Sequence, residues 1–159
     1  MLATNIKIGF GKLSDATEIS QVSRDEIEYG LGWNYTARKI VQIIKNESKN
    51  TVVARREGEL VGFGVMTYRK DQANLDLLAV KKEYRRCKIG SDLVLWLEEV
   101  AITAGAFNVF VQLREKNTEA FSFYEKLGYI RLDDLPGFYR GIENGIVMAK
   151  SLRTMINAT

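Results

Sequence analysis

The stretch LDLLAVKKEYRRCKIGSDLVLWL, residues 75–97, decides the fold of this chain. An apolar run typical of a strand leads into a loop rich in lysine and arginine, and the loop opens directly into a segment with apolar residues at helical spacing. We therefore expect a strand over 74–80 and a helix over 89–104. Because backbone N–H groups and the positive end of the helix dipole would face the loop, this junction predicts an anion site.

Five cationic side chains lie in this loop and would suit a pyrophosphate: Lys81, Lys82, Arg85, Arg86 and Lys88. Such a cluster is often only solvated surface, and on the cluster alone this alternative stays open. We expect no nucleic-acid partner, because the charges are not regularly interleaved with aromatic side chains that stack on bases. The loop also lacks the glycine patterns of P-loop and dinucleotide sites.

The remaining segments predict an α/β fold with a mixed sheet. The strand and helix sequence from 74 to 127 predicts a parallel pair of strands joined by a right-handed crossover, whereas the earlier strands are expected to be antiparallel. Gly62 and Gly64 indicate either a bulge or a close approach at one of those earlier strands. The further strands are expected at 5–10, 51–56, 60–69, 106–113 and 144–150, and the further helices at 15–29, 36–46 and 117–127.

Length and composition exclude several classes of site. The chain has 159 residues, which fits a single domain over 1–159, and it contains one cysteine and no histidine. Ser-His and Cys-His catalysis, His-ligated metals and an internal disulfide are excluded, so we expect no metal and a cytoplasmic location. We expect no membrane contact, since the apolar runs are too short to span and the N-terminal residues lack a signal-peptide pattern. The net charge of +3 fits an anionic ligand without requiring one.

Two motifs resemble those of the GNAT superfamily of N-acetyltransferases. Residues 78–91, LAVKKEYRRCKIGS, resemble its acetyl-CoA motif, with Arg85 at the first position and Gly90 at the last. Residues 117–129, NTEAFSFYEKLGY, resemble a second family motif whose Asn, Ala, Tyr and Gly-Tyr positions are all in place. The ending FYRGIENGIVMAK is similar to the tail of ribosomal-protein alanine and other protein N-terminal acetyltransferases.

The resemblance implies a mixed, mostly antiparallel sheet with a splayed parallel pair of central strands and flanking helices. It also implies transfer of an acetyl group from acetyl-CoA to a primary amine by direct attack. The backbone of 86–91 would bind the pyrophosphate, the strand main chain would pair with the pantetheine arm, and an N–H near Leu78 or Ala79 would stabilise the oxyanion. The residues assigned in this way to acetyl-CoA are Leu78, Ala79, Val80, Arg85, Arg86, Cys87, Lys88, Ile89, Gly90, Ser91, Asn117 and Tyr124.

Two positions depart from the family pattern. Lys88 stands where the acetyl-CoA motif has its first glycine, which permits close backbone approach. We expect CoA binding to survive this change. Gln112 stands where the alanine N-acetyltransferases have a glutamate proposed as the general base, and a glutamine cannot accept the proton.

Acyl transfer from a thioester to an amine needs a neutral amine, a stabilised oxyanion and a protonated leaving thiolate. From the resemblance, Tyr124 is predicted to be the general acid that protonates the thiolate; the alternative is an aromatic side chain that only packs in the core. Asp76 is the leading candidate for the base, because similar small-amine acetyltransferases carry an acidic residue at this position. One alternative is that Asp76 is only a solvated or loop-paired aspartate. Another is that water relays the proton with no dedicated carboxylate.

The acceptor is predicted to bind the region 28–36 and to be enclosed by Trp33, Tyr35 and Tyr139, although such aromatic residues also serve as core. Three functions remain open from the sequence. The first is acetylation of a protein N-terminus or peptide amine, favoured by the tail. The second is acetylation of a small amine, and the third is a non-catalytic acyl-CoA sensor. Either a monomer or a homodimer is compatible with these expectations.

Overall fold

The computed structural model describes residues 5–28 and 32–153. It contains four helices within these residues: α1 (Ala16–Glu26), α2 (Ala37–Lys45), α3 (Ile89–Thr103) and α4 (Thr118–Lys126). The strands are β1 (Ile6–Phe10), β2 (Lys49–Arg56), β3 (Glu59–Arg69), β4 (Gln72–Val80), β5 (Asn108–Arg114), β6 (Ile130–Tyr139) and β7 (Glu143–Ser151). Every predicted element is present, with ends shifted by a few residues, and β6 was not predicted. No helix in the described part of the chain is both long and apolar enough to cross a membrane.

The seven strands form a mixed sheet in the order β1-β2-β3-β4-β5-β7-β6. The predicted antiparallel pairing holds for β1 with β2 and for β2 with β3. The predicted parallel pair is β4 with β5, in a register that runs from Gln72 opposite Asn108 to Leu75 opposite Val111. β7 then pairs antiparallel with both β5 and β6. The fold class expected from the sequence is therefore confirmed.

The described residues group into two compact units. The first comprises the chain up to Thr67 together with Asp76–Glu99, and the second comprises Tyr68–Leu75 and the chain from Val100 onward. The prediction of one domain over 1–159 stays a prediction. In the first unit, apolar residues of α1 and α2 pack on those of the strands. The buried members of this cluster are Ala16, Ile19, Val22, Ile40, Ile43, Val53, Leu60, Phe63, Val65, Leu77 and Ala79.

Glycines in β3 allow α3 to pack closely on the first unit's strands, which is the close approach that the sequence offered as one of two explanations. A Cβ at Gly62 would lie 3.0 Å from the carbonyl oxygen of Ala79 and 3.2 Å from Leu93 Cδ1. A Cβ at Gly64 would lie 2.9 Å from Leu97 Cδ1. A Cβ at Gly62 would press on a backbone carbonyl group, whereas a Cβ at Gly64 would require the Leu97 side chain to shift. The start of α3 is thereby held beside the end of β4.

The second unit is built around the β5–β7–β6 strands and α4. Gly105 and Gly128, with φ values of 93° and 99°, follow α3 and α4 and end them in the left-handed conformation that glycine tolerates. The ring of Tyr124, on α4, packs edge-on against Tyr129 at a centroid distance of 5.4 Å. Tyr124 is thus part of a packed aromatic group, which was the alternative to a catalytic role, and the packing does not exclude that role.

β6 lies at the edge of the sheet and was missed because its sequence has no strand-like alternation. Most of its residues are exposed on both faces. Its register with β7 is interrupted between Arg131 and Asp133 and again between Leu135 and Tyr139, and the second interruption contains Pro136. Interruptions, charges and a proline mask the period-two pattern by which a strand is recognised in a sequence.

Candidate active site

The predicted site residues divide between the two units. Asn117, Tyr124 and Tyr139 belong to the second unit, and all the others belong to the first. The first unit therefore holds the proposed anion loop, the Asp76 region and two of the three acceptor aromatics. The second holds the proposed acid.

The basic loop is fastened by two glutamates, which pair with two of its five cations. Glu59 of β3 accepts from Lys81 Nζ at 3.1 Å and from the Tyr84 hydroxyl at 3.1 Å. The hydrogen bond from Lys81 lowers the pKa of Glu59 below its ordinary value. Glu26, the last residue of α1, pairs with Arg85 at 2.7 Å. Lys81 and Arg85 are therefore paired within the protein, and fewer of the five cations are left to meet an anion.

Glu26 also fixes the backbone of the loop. Its second oxygen accepts from the Lys82 backbone N–H at 3.2 Å, while Arg85 Nε lies 3.5 Å from the carbonyl oxygen of Val80. Arg85, predicted to bind the cofactor, thus connects α1 to the end of β4. Its position supports a role in shaping the loop.

The turn into α3 adopts an unusual backbone conformation. Arg86 and Lys88 have φ values of 66° and 65°, in the left-handed region that favours glycine. The helix follows at once, since the Asp92 N–H donates to the Lys88 carbonyl oxygen at 3.0 Å. The first N–H groups of a helix have no partner within it, so those of 89–91 are suited to an anion. The exposed side chains of Lys82, Arg86 and Lys88 make no ion pair with any residue that the structure describes, and they add positive charge.

Strand β4 presents alternate residues to its two faces. Ala79 is buried, whereas Asp76, Leu78 and Val80 are only half-buried on the opposite face. Cys87, Ile89, Gly90 and Ser91 follow in the loop and the first turn of α3, and of these Ile89 is buried. The predicted cofactor residues of the first unit are therefore consecutive along one strand, loop and helix start.

Asp76 is joined to two residues that the sequence did not indicate. Its Oδ2 accepts from Lys49 Nζ at 3.0 Å and from the Thr67 hydroxyl, and Lys49 Nζ also lies 2.6 Å from Thr67 Oγ1. Asp76 is about one quarter exposed. Asp76 therefore belongs to a hydrogen-bonded group spanning β2, β3 and β4, and its role as the base stays a prediction.

Tyr35 lies near this group and is held by a buried carboxylate. Glu28 accepts from the backbone N–H groups of Asn34 and Tyr35 and from the Ser23 hydroxyl. Burial, and then the negative charges of Asp76 and Glu28, raise the pKa of the Tyr35 phenol. Tyr35 therefore stays neutral at physiological pH.

Trp33, the other predicted acceptor aromatic of this region, is about half exposed. The Arg24 guanidinium carbon lies over its ring, 5.2 Å from the ring centroid. The region 28–36 was predicted to select the acceptor. Its residues 29–31 lie outside those that the structure describes, and nothing here bears on them. Of the two aromatic residues, Tyr35 is the one whose pKa is raised by the charge of Asp76.

In the second unit, Tyr124 is buried beside Tyr139. Burial, and secondarily the neighbouring Tyr139, raise the pKa of Tyr124 far above its ordinary value. The Tyr139 ring lies 5.9 Å from the guanidinium of Arg114, a buried residue at the end of β5 that pairs with Glu143 at 3.6 Å. Two predicted residues, the acid and one acceptor aromatic, are thus neighbours.

Asn117 and Gln112 have defined partners in this unit. Asn117 Oδ1 accepts from the Ala120 N–H at 3.0 Å, so this side chain caps the start of α4. Gln112 of β5 and Asn74 of β4 exchange two amide hydrogen bonds of 3.0 and 2.9 Å. Gln112, at the position where the alanine N-acetyltransferases have a glutamate, is therefore paired with a second neutral amide. The part played by Asn74 was not predicted.

Sequence reasoning did not find the hydrogen-bond and ion-pair partners of the predicted site residues. Lys49, Glu26, Glu59 and Asn74 are polar residues at ordinary surface spacing, and no local pattern marks them. Each meets its partner from 22 to 59 positions away along the chain. Among the residues that the structure describes, no group of three or more acidic, cysteine or histidine side chains could hold a metal ion.

Comparisons with known proteins identify a family to which this chain is similar. Residues 16–129 match the model of the acetyltransferase (GNAT) family. The chain is 26% identical to an N-alpha-acetyltransferase of Sulfurisphaera tokodaii, over 92% of this chain and 93% of that protein. It is 28% identical to a spermidine N(1)-acetyltransferase of Thermoplasma acidophilum, over 72% of this chain and 73% of that protein.

A solved structure shows the same fold. It is the PaiA N-acetyltransferase of Thermoplasma acidophilum in complex with coenzyme A, which covers 92% of this chain and 98% of its own, with a TM-score of 0.75 and 23% identity. The family match extends from α1 through the anion loop to the end of α4, so it includes most of the residues described above. The chain belongs to the acetyltransferase (GNAT) family and is an acetyl-CoA-dependent N-acetyltransferase.

Proposed function

We propose that the acceptor is the α-amino group of a peptide or protein N-terminus, acetylated by direct attack. The observation that carries this proposal is the full-length similarity to an N-alpha-acetyltransferase, which covers more than nine tenths of both chains. The spermidine acetyltransferase supports a small amine as the second candidate, over a shorter part of the chain. A non-catalytic sensor has no support among these relatives, which are all named as acetyltransferases.

Acetyl-CoA is proposed to bind the loop between β4 and α3. The left-handed residues Arg86 and Lys88 turn the backbone into the helix, and exposed cations surround its first N–H groups. This arrangement fits a pyrophosphate, because it combines backbone donors with positive charge. The main chain of 78–80 would hold the pantetheine arm. Acetyl-CoA supplies the acetyl group in activated form, as a thioester.

Tyr124 is proposed as the proton donor to the leaving sulfur. Since burial raises its pKa, the phenol remains protonated at every pH at which the enzyme would work. The same burial disfavours a lasting tyrosinate, so a donated proton must be replaced rapidly. When Tyr124 gives its proton to the sulfur, the acceptor nitrogen loses one to its own base, and Tyr124 would regain a proton from solvent before the next turnover.

Asp76 is proposed to receive the proton of the acceptor amine, directly or through water. It is a carboxylate on the half-buried face of β4, near the neutral phenol of Tyr35. Tyr35, Trp33 and Tyr139 are proposed to contact the acceptor. Their rings offer apolar area to a peptide and hydroxyl groups to its backbone.

The experiment is a screen of acceptors with acetyl-CoA, in which released CoA is detected as free thiol. Peptides with free N-termini are expected to turn over faster than small amines. Turnover of small amines alone would favour the second candidate, and saturable CoA binding without any turnover would contradict both.

Tyr124→Phe tests the acid in the same assay. Loss of the hydroxyl should lower kcat by about 10²–10⁴-fold and leave acetyl-CoA affinity close to wild type, since the ring packing is kept. Tyr129→Phe removes a hydroxyl from the neighbouring buried ring and serves as the matched control, with kcat expected to stay near wild type. A folded Tyr124→Phe enzyme with at least half the wild-type kcat, under conditions where chemistry limits the rate, would remove Tyr124 from the mechanism.

A further inference from the structure

Lys49 places a primary amine of the protein on the carboxylate proposed as the base. It opens β2 and lies opposite Thr67 in the register with β3. Its Nζ is 3.0 Å from Asp76 Oδ2, and both side chains are about one quarter exposed. An ion pair at this depth is shielded from solvent more than one on the open surface, and Thr67 fixes its geometry through hydrogen bonds to both partners.

The pair changes what the region offers to an incoming acceptor. A lone carboxylate would attract any ammonium group, and most strongly a polyamine with several charges. With Lys49 beside it, the carboxylate carries a compensated charge, and a second ammonium brought to Asp76 would lie next to the first. A positive charge on Lys49 next to the acceptor amine disfavours the protonated form of that amine.

Amines differ in how easily they meet this condition. An α-amino group has an ordinary pKa of about 7.7–8.0, so about a third of it is neutral at pH 7.5. An alkyl amine such as that of a lysine side chain has an ordinary pKa of about 10.4, so only about 0.1% is neutral at that pH. A region that repels ammonium groups therefore selects α-amines by their protonation state.

We propose that Lys49 is a specificity-determining residue, which directs the enzyme to α-amino acceptors by compensating the charge of Asp76 and excluding polycationic amines. This inference rests on the proposed role of Asp76 in the acceptor site. It adds a reason, within this chain, why a peptide N-terminus would be preferred to a polyamine. Lys49 itself takes no part in the transfer of the acetyl group.

The test compares kcat/KM for two acceptors, a lysine-free peptide with a free N-terminus and spermidine, on each of four proteins. These are the wild type, Lys49→Met, Lys49→Arg and Lys45→Met, the last removing an exposed lysine from the end of α2. Lys49→Met is expected to raise the spermidine-to-peptide ratio at least about tenfold, which corresponds to about 1.4 kcal/mol. Lys49→Arg keeps the charge and should keep the wild-type ratio, as should Lys45→Met.

Because the readout is a ratio on one enzyme preparation, a smaller folded fraction in any variant cancels. A ratio within twofold of wild type in Lys49→Met would overturn the proposal, and so would an equal change in Lys49→Arg. A wild type that prefers spermidine would overturn it as well. If the wild type acetylates neither acceptor while it binds acetyl-CoA, the proposed function itself fails, and that outcome is distinct from an unchanged ratio.

Discussion

At the scale of single residues, Lys88 shows how one substitution in a motif can be absorbed. The family motif has glycine at this position, and the structure gives the lysine a φ of 65°, a conformation in which glycine has no steric cost. The backbone path of the loop is therefore the one a glycine would take. The side chain is exposed and adds charge without altering that path.

Lys88→Gly should stabilise the protein by about 0.5–1 kcal/mol, because relief of the left-handed strain outweighs the greater freedom of glycine in the unfolded chain. CoA affinity should change by no more than about tenfold, since backbone groups remain in place. Urea unfolding and calorimetric titration measure the two effects. Lys82→Gly is the matched control: it removes the same charge where φ is not positive, and should destabilise. Complete loss of CoA binding in Lys88→Gly would show that the lysine side chain is an essential ligand.

Gln112 shows where residue-level reasoning from sequence ends. The glutamine was correctly excluded as a base, because an amide cannot take up a proton. Its partner Asn74 could not be predicted, since the two amides are 38 positions apart and meet only through the pairing of β4 with β5. The same holds for Lys49 and Asp76. Types of side chain are visible in a sequence, whereas ion pairs and hydrogen bonds between strands depend on register.

At the scale of elements, the strand, loop and helix over 72–103 were predictable because each carries a local signal. The apolar run of β4, the basic loop and the helical spacing of α3 all survive in the structure. Strand β6 carries no such signal, since few of its side chains enter a core. Gly62 and Gly64 indicated a bulge or a close neighbour in β3, but the sequence did not identify α3 as that neighbour.

Gly62→Ala should lower the free energy of unfolding by about 1–3 kcal/mol, because the new Cβ would press against the Ala79 carbonyl group, which cannot move without shifting β4. Gly9→Ala in β1 is the matched control. Nothing lies within 4 Å of a Cβ there, so that variant should be neutral or up to about 1 kcal/mol more stable. Urea midpoints of both variants measure the difference. Equal midpoints would mean that β4 and α3 can shift to accommodate the new Cβ at little cost, which would contradict this prediction.

At the scale of the whole molecule, the net positive charge is small, but the positive side chains are unevenly distributed. The net charge is +3, while three exposed cations, Lys82, Arg86 and Lys88, lie within seven consecutive residues of one loop. Such a loop attracts an anion over roughly one Debye length, which is about 10 Å at 0.1 M salt. Affinity for acetyl-CoA should therefore depend on ionic strength.

Acetyl-CoA at a hundred times its Kd should stabilise the native state by about 2.7 kcal/mol and raise the Tm accordingly. The affinity for acetyl-CoA should fall severalfold when salt rises from about 0.05 to 0.5 M, and the Tm shift should fall with it. Thermal scans at both salt concentrations measure the Tm shift. Lys82→Gln is expected to weaken its salt dependence. Lys7→Gln, on β1, is the control and is expected to leave the salt dependence unchanged. An unchanged Tm at millimolar acetyl-CoA, with no heat of binding, would refute acetyl-CoA binding.

The exposed edge strand β6 has a consequence for the behaviour of concentrated protein. A long strand at a sheet edge, with apolar side chains such as Ile130 and Leu132 half exposed or more, is a template on which further chains can add and grow into fibrils. Here Pro136 withholds one N–H, the two interruptions bend the edge, and Asp133 and Asp134 place like charges along it. Each of these makes stacking of a second chain unfavourable. The features that hid β6 from sequence reasoning are thus the same ones that protect the protein from aggregation at that edge.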